Sequence, residues 1–506
     1  PRRVRRGDYD SGPVPEGLEA EAAPEFGPGG AYAALLASLG PLNENSAHTG
    51  AKRAAERGEG GAARESKRRK GASEAAAAPA PAPSAAVADE DEEASEPPLR
   101  RQQQHGSGWA RQMGRALTAA DAAALAEAAA KPAFRAAGDA PGLPGATWET
   151  DGTASVPAPR EGLEAHAPPQ RLLERWRELA PAEGREGVAY ASPAQASLAA
   201  LLESYSDVLH TDRRQPPPGE PDEVLDACLL HVLQHVMRSG TLARKTAEKL
   251  HKREAEGGGS VGAETPRDSS FVRPRVLLLL PQRNVAHRVV SRLLELCPAA
   301  QGRADAVTKR DRFEREFSDP EAAADPRKPE DHRALFHGNV DDHFRLGIKI
   351  TKASVRLYVD FYGADILVAS PLGLITKLEE AASAAAATAD GGGSSKKKAA
   401  AAAGDEDAGF LSSIEVVVAD AADLLLMQNW THVERVFRSL NHIPTKMRDA
   451  DIMRIREWYL QGWAKHYRQT ILLSAYGAPE LNALYARECA NAAGRVRLAP
   501  SHAGQL

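Results

Sequence analysis

Four short segments carry polar residues that could meet a ligand, because each follows an apolar run that reads as a strand. They are Pro281-Gln-Arg-Asn-Val-Ala286, Ser370-Pro-Leu-Gly-Leu374, Asp420-Ala-Ala-Asp423 and Ser474-Ala-Tyr476. In an open α/β sheet, ligands gather at the carboxyl ends of the strands, so chemistry is expected here. Phosphate handling is the first chemistry to test. It needs a Gly-rich loop whose N–H groups cradle phosphates, a Lys reaching the β- and γ-phosphates, and a Ser or Thr for magnesium. No G-x-x-x-x-G-K-[ST] occurs in the chain. The segment where that loop belongs, Thr211–Pro221, holds Pro216, Pro217, Pro218 and Pro221. Prolines donate no N–H, so this segment cannot make the cradle. Gly257–Thr265 (GGGSVGAET) is a lookalike, with Glu264 where Lys is needed and the next strand too near.

Two other groups have metal-ligand character. His231 and His235 stand at i and i+4 on a predicted helix, the spacing of zinc proteases. Val232 stands where that motif needs Glu and no third ligand follows, so satisfied or solvent-facing histidines are expected. Asp341-Asp342-His343 reads as a structural or partner-binding loop. No metal and no other cofactor is expected.

Strand and helix patterns alternate around these residues. Val276–Leu280 is an apolar run between Pro274 and Pro281, the pattern of a strand buried on both faces. Asn284–Cys297 follows as an amphipathic helix. Asp365–Ala369, Ile414–Ala419 and Thr470–Ala475 are further strands, leading into helices at Leu372–Glu380, Ala422–Asn441 and Glu480–Ala490. Asp222–Lys252 is a long helix with apolar residues at helical spacing. The alternation argues for an open α/β domain with a mostly parallel sheet.

Composition bounds the remainder. The chain has 506 residues and a formal net charge of −5, and of its 26 aromatics only eight fall in the first 200 residues. Too few large side chains remain there to offset the entropy of ordering, so residues 1–197 are expected to be a disordered, charged region. Arg2–Arg6 and Lys67-Arg68-Arg69-Lys70 read as nuclear or nucleolar addresses or polyanion contacts, and Asp89–Glu93 forms an acidic run. Three cysteines (Cys228, Cys297, Cys489), odd in number and far apart, make neither a disulfide framework nor a CxxC knuckle, and fit a reducing compartment. Mean hydropathy is −0.43, and no apolar run approaches the length of a membrane span. The domain is placed at 198–506, with a disordered insert at 381–409 rich in Ala, Gly, Ser and Lys.

In this order and at these strand ends, the four segments resemble motifs Ia, Ib, II and III of the first RecA-like domain of DEAD-box RNA helicases. Phe336–Ile350, Phe361–Leu374, Phe410–Trp430 and Trp463–Ala475 more closely resemble the U3 small nucleolar RNA-associated protein 25 family, also called digestive organ expansion factor. The likeness runs from about Tyr205 to Val496. It implies a RecA-like (P-loop NTPase/helicase-like) fold and a nucleolar factor of the small-subunit processome, acting in pre-rRNA processing toward 18S rRNA. Its partners would be pre-rRNA and U3-containing processome proteins, and its location the nucleus and nucleolus. The family has a second RecA-like domain, expected to be missing from this chain, which starts at Pro1 and reads as truncated.

Within that resemblance, Asp420 and Asp423 match the two aspartates of motif II, but Ala421 replaces the Glu that deprotonates the attacking water. A vestigial site and no ATP hydrolysis are expected. Motifs Ia and Ib grip RNA in helicases, which points to Arg283, Asn284, Ser370 and Gly373. From Trp430 to Leu506, 11 Lys/Arg face 6 Asp/Glu, and Trp458, Tyr459, Trp463 and Tyr467 interleave with basic residues. Basic charge binds phosphate and aromatics stack bases. Most of these aromatics are expected in the core, with Lys465 and Arg468 at the surface as RNA contacts. The rival readings are an ATP-dependent helicase with atypical motifs and a pure protein-interaction module.

Overall fold

The structure is a computed structural model describing residues 107–130, 133–213, 215–216, 220–255, 267–303, 305–319, 327–388, 408–444 and 450–500. The basic clusters near Arg2 and Lys67, the acidic run at Asp89 and the Gly257 lookalike lie outside the described residues. In chain order the strands are β1 (Arg135–Asp139), β2 (Thr147–Thr150), β3 (Asp207–His210), β4 (Val276–Leu279), β5 (Val307–Thr308), β6 (Arg345–Ile350), β7 (Val355–Leu357), β8 (Ile366–Ala369), β9 (Val416–Ala419), β10 (Gln469–Leu473) and β11 (Arg495–Ala499). The helices are α1 (Gly108–Met113), α2 (Ala119–Ala130), α3 (Gln170–Leu179), α4 (Pro193–Glu203), α5 (Glu223–Ala255), α6 (Arg283–Leu296), α7 (Arg310–Phe317), α8 (Glu330–Leu335), α9 (Pro371–Thr388), α10 (Ala422–Met427), α11 (Trp430–Arg438), α12 (Glu457–Leu460) and α13 (Pro479–Glu488).

The strands form one sheet in the order β1-β2-β11-β3-β10-β9-β4-β8-β6-β7-β5. Its centre, from β11 to β8, is parallel, while β1, β2 and β6 pair antiparallel with their neighbours. Apolar runs explain the centre. Every residue of β4, β8 and β9 is buried. Successive side chains leave a strand on opposite faces, and here they feed two cores. Val276, Leu278, Ile366, Val368, Val416 and Val418 join one, together with residues of α3, α4, α5 and α6. Leu277, Leu279, Leu367, Ala369, Val417 and Ala419 join the other, beneath α9, α11 and α13. Each large side chain so buried contributes about 1.5–3 kcal/mol. This is the doubly covered parallel sheet that the strand–helix alternation predicts.

The expected boundary at residue 198 needs correction. Residues 107–197 supply α1, α2, β1, β2, α3 and the start of α4. β2 pairs with β11, Trp148 lying opposite Leu498. Leu163, Leu172, Leu173 and Trp176 are buried in the first core. Few aromatics suffice here because each inserts into a core that the later sheet already supplies. The insert is also shorter than expected: α9 runs on to Thr388, and a turn at Ala408–Leu411 buries Phe410 and Leu411. The predicted helix over 422–441 is two helices. It breaks at Gln428-Asn429, where the Asn429 side chain accepts from Thr431 N–H and caps α11.

Candidate functional site

β3, β10 and β9 run parallel and in register, Leu209 beside Leu472 and Leu472 beside Ala419, so His210, Leu473 and Asp420 reach one level. The chain leaving β3 folds over that edge. Arg213 N–H donates to the Ser474 carbonyl at 2.8 Å, which fixes the loop across β10. The Arg213 side chain then drops between two carboxylates, 2.7 Å from Asp222 and 3.3 Å from Asp420. Arg288, one turn into α6, reaches the same two acids at 3.4 Å each. Asp222 also caps α5 through Leu225 N–H. Two arginines and two aspartates thus close a network at the carboxyl ends of β3 and β9.

The charges confirm who holds whom. Burial opposes the charge on Asp420, but attraction from Arg213 and then Arg288 outweighs it and keeps the carboxyl below its ordinary range. Burial likewise works against Arg213, yet Asp420 and Asp222 raise its pKa. Asp423 differs: burial dominates and pushes its carboxyl up, while its Oδ1 accepts from Ala475 N–H at 3.2 Å. Between the two aspartates, Ala421 is buried with a left-handed φ of 53°. Its methyl group can neither orient nor deprotonate a water. Among the described residues no group of three or more His, Cys, Asp or Glu is placed to hold a metal ion.

The RNA-contact candidates are placed as follows. Arg283 is spent on the neighbouring loop, its Nε 2.6 Å from Asp341 and its Nη2 2.7 Å from the His343 carbonyl. Asn284 is buried and donates to the Leu335 and His337 carbonyls. Ser370 is buried, and its Oγ caps α9 by accepting from Gly373 N–H at 3.0 Å. Gly373 lies so close to β6 that a Cβ would stand 2.2 Å from the Phe344 carbonyl oxygen. Lys465 is partly exposed and paired with Glu488 at 3.1 Å. Arg468 is not at the surface: it is 2% exposed and donates to Asn441 and the Glu488 carbonyl. The partners that swallow it come from distant segments, which its own surroundings in sequence do not announce. Asp341 is the clamp on Arg283, and its backbone carbonyl also accepts from Arg283 N–H.

At the opposite end of the sheet, Glu415 precedes β9 and gathers a second buried network. Arg275, Arg456 and Tyr459 donate to it at 3.1, 3.1 and 2.8 Å, and His235 at 2.8 Å. His235 is bonded on its other nitrogen to Tyr205, and His231 to Gln469. The two histidines at zinc-protease spacing are thus structural. Trp458 stacks on Tyr467 with centroids 4.2 Å apart, and both are buried with Tyr459. The residues that sequence reasoning missed are Arg213, Arg288 and Asp222. Arg213 lies in the proline-rich segment after β3, and nothing near it in sequence names its partner at Asp420.

The strand order and the strand-end segments define a RecA-like α/β domain of the NTP-hydrolase type. The chain belongs to the UTP25 family: the family model "UTP25, NTP hydrolase-like domain" matches residues 205–496. It is 36% identical over 371 residues to Protein NUCLEOLAR FACTOR 1 of Arabidopsis thaliana, covering 68% of this chain and 46% of that protein. It is 38% identical over 307 residues to the U3 small nucleolar RNA-associated protein 25 homolog of Xenopus tropicalis, covering 60% and 37%. The chain spans less than half the length of these relatives. The DEAD-box splicing factor Prp28 of yeast overlaps 76% of this chain and 57% of its own at 14% identity and a TM-score of 0.33, so the fold assignment rests on the strand order.

Proposed function

We propose that the chain is a catalytically silent, helicase-like scaffold of the nucleolar small-subunit processome, acting in pre-rRNA processing toward 18S rRNA. Its partners on this reading are pre-rRNA and proteins of the U3-containing particle, and its location is the nucleolus. Relatives named for U3 small nucleolar RNA association and as a nucleolar factor support the setting. The observation that carries the silent half is Arg213 bound to Asp420, beside an alanine where the base belongs. A salt-bridged guanidinium already occupies the charge position that magnesium and phosphate would contest.

Thermal melting of the full chain tests this. A nucleotide at about a hundred times its Kd adds about 2.7 kcal/mol of stability. No shift with millimolar ATP and magnesium, and no RNA-stimulated phosphate release, is expected. Either one overturns the silent reading. A second reading, a protein-interaction module with no RNA contact, is favoured at the strand ends by the internal engagement of Arg283, Asn284 and Ser370. Crosslinking in cells separates it from the first: pre-rRNA crosslinks to this chain would exclude it.

A further inference from the structure

On the side of the second core the cover thins past β8: the 359–364 turn packs over Gly347 of β6, and the last three strands carry no apolar side chain on that face. Leu346, Ile348, Val355 and Leu357 all point into the first core. Their neighbours Lys349, Arg356 and Thr308 therefore face the other way. These three form one row: Lys349 is directly opposite Arg356 across the β6–β7 pair, and Thr308 lies beside Arg356 across β5–β7. Arg356 and Thr308 are exposed and Lys349 half-buried. Like charges facing each other across two strands are destabilising. Among the described residues neither Lys349 nor Arg356 forms an ion pair; the acids on this side, Glu380 and Asp365, pair with Arg345 at 3.0 Å and Arg273 at 2.8 Å.

Charges on outer strands also guard against edge-to-edge pairing. That purpose needs charge of either sign and is served without strain by an opposite pair. It also belongs on β5, the true edge, rather than on β6 and β7. A repelling pair with its backbone already hydrogen-bonded calls for an anion from outside.

We propose that the row of Lys349, Arg356 and Thr308 across β6, β7 and β5 binds the phosphodiester backbone of RNA through Lys349 and Arg356. Opposed side chains start about 5 Å apart, so one phosphate can accept from both, with Thr308 a further donor. No aromatic ring accompanies them on these strands, so the contact is to backbone and blind to sequence. The inference rests on the scaffold reading and gives it an RNA contact that the strand ends do not provide.

The test is a salt-titrated binding assay of the full chain with poly(U) and poly(A), using wild type, Lys349→Gln/Arg356→Gln and Lys349→Glu. Wild type is expected to bind both polymers. The double variant should bind both several-fold more weakly, its slope of log affinity against log salt shallower by roughly 0.7 per lost contact. Both variants should melt no lower than wild type, since each removes a repulsion. Wild-type affinity and slope in a folded double variant would overturn the site while leaving RNA binding by the chain intact. No binding by wild type would overturn the RNA part of the scaffold reading together with this site.

Discussion

Arg213 and Asp420 touch at 3.3 Å with both side chains 1% exposed, joining the loop after β3 to the end of β9. The guanidinium and the carboxylate neutralise each other out of contact with water, which makes the pair a structural joint between the two strand ends.

Removing one member of a buried ion pair leaves a charge uncompensated and costs 3–5 kcal/mol. Arg213→Ala is expected to lose about that much in urea unfolding, somewhat softened by Arg288, which still reaches Asp420. The double variant Arg213→Ala/Asp420→Ala should lose clearly less than the sum of the two singles. Additive losses would show that the pair is not a joint.

Ala421→Glu restores the missing side chain of motif II but no phosphate cradle. We expect no hydrolysis of ATP above background in a phosphate-release assay. Measurable turnover by this variant would show that the site retains room for nucleotide despite Arg213.

Gly373→Ala pushes a methyl group to 2.2 Å from the Phe344 carbonyl oxygen, a backbone atom with little freedom to move. A loss of about 1–3 kcal/mol in urea unfolding is expected from overpacking. If Gly373 instead served RNA, its variant would keep wild-type stability and lose affinity.

Three buried histidines weaken the fold on the acid side, opposed by Asp207, whose carboxyl burial pushes up to about 7. Burial is the main cause in each case: it pulls His166 and His210 to about 4 and His231 to about 3. The unfolded chain protonates first as pH falls through the ordinary value of 6.5, so their stabilising effect is complete above about 6.5 and lost below it. At pH 5 each costs about 2 kcal/mol. Melting temperature should fall between about pH 6.5 and 5, the proton that Asp207 takes up in the folded state offsetting part of the loss. A flat profile would mean that these rings are solvated or already charged in the folded state.

Much of the core was legible because burial on both faces leaves a plain mark. Val276–Leu279 and Val416–Ala419 contain no polar residue at all. β6 and β7 left no such mark, since Gly347, Lys349 and Arg356 alternate with the apolar residues. The segment before residue 198 was misread for a related reason. β1 is exposed throughout and α2 buries only Ala122, so their order depends on partners such as Arg495, which bonds the Ala128 carbonyl. At the candidate site, the prolines at 216–218 and 221 are visible in sequence and remove the N–H donors a phosphate cradle needs. That Arg213 would fill the space depended on acids at 222 and 420, and such closures arise only when distant strands come into register.

The pairing of β2 with β11 has a consequence for how the chain is made. Thr150 meets Val496 only after some 345 further residues have left the ribosome. At about 5–20 residues per second, that interval is roughly 20–70 s. Throughout it, β2 has a free edge and Trp148 waits for a core that is not yet built. A growing chain with such an edge is a natural client for a chaperone, and its yield in cells should depend on translation speed across residues 150–499 more than on any single contact in the finished fold.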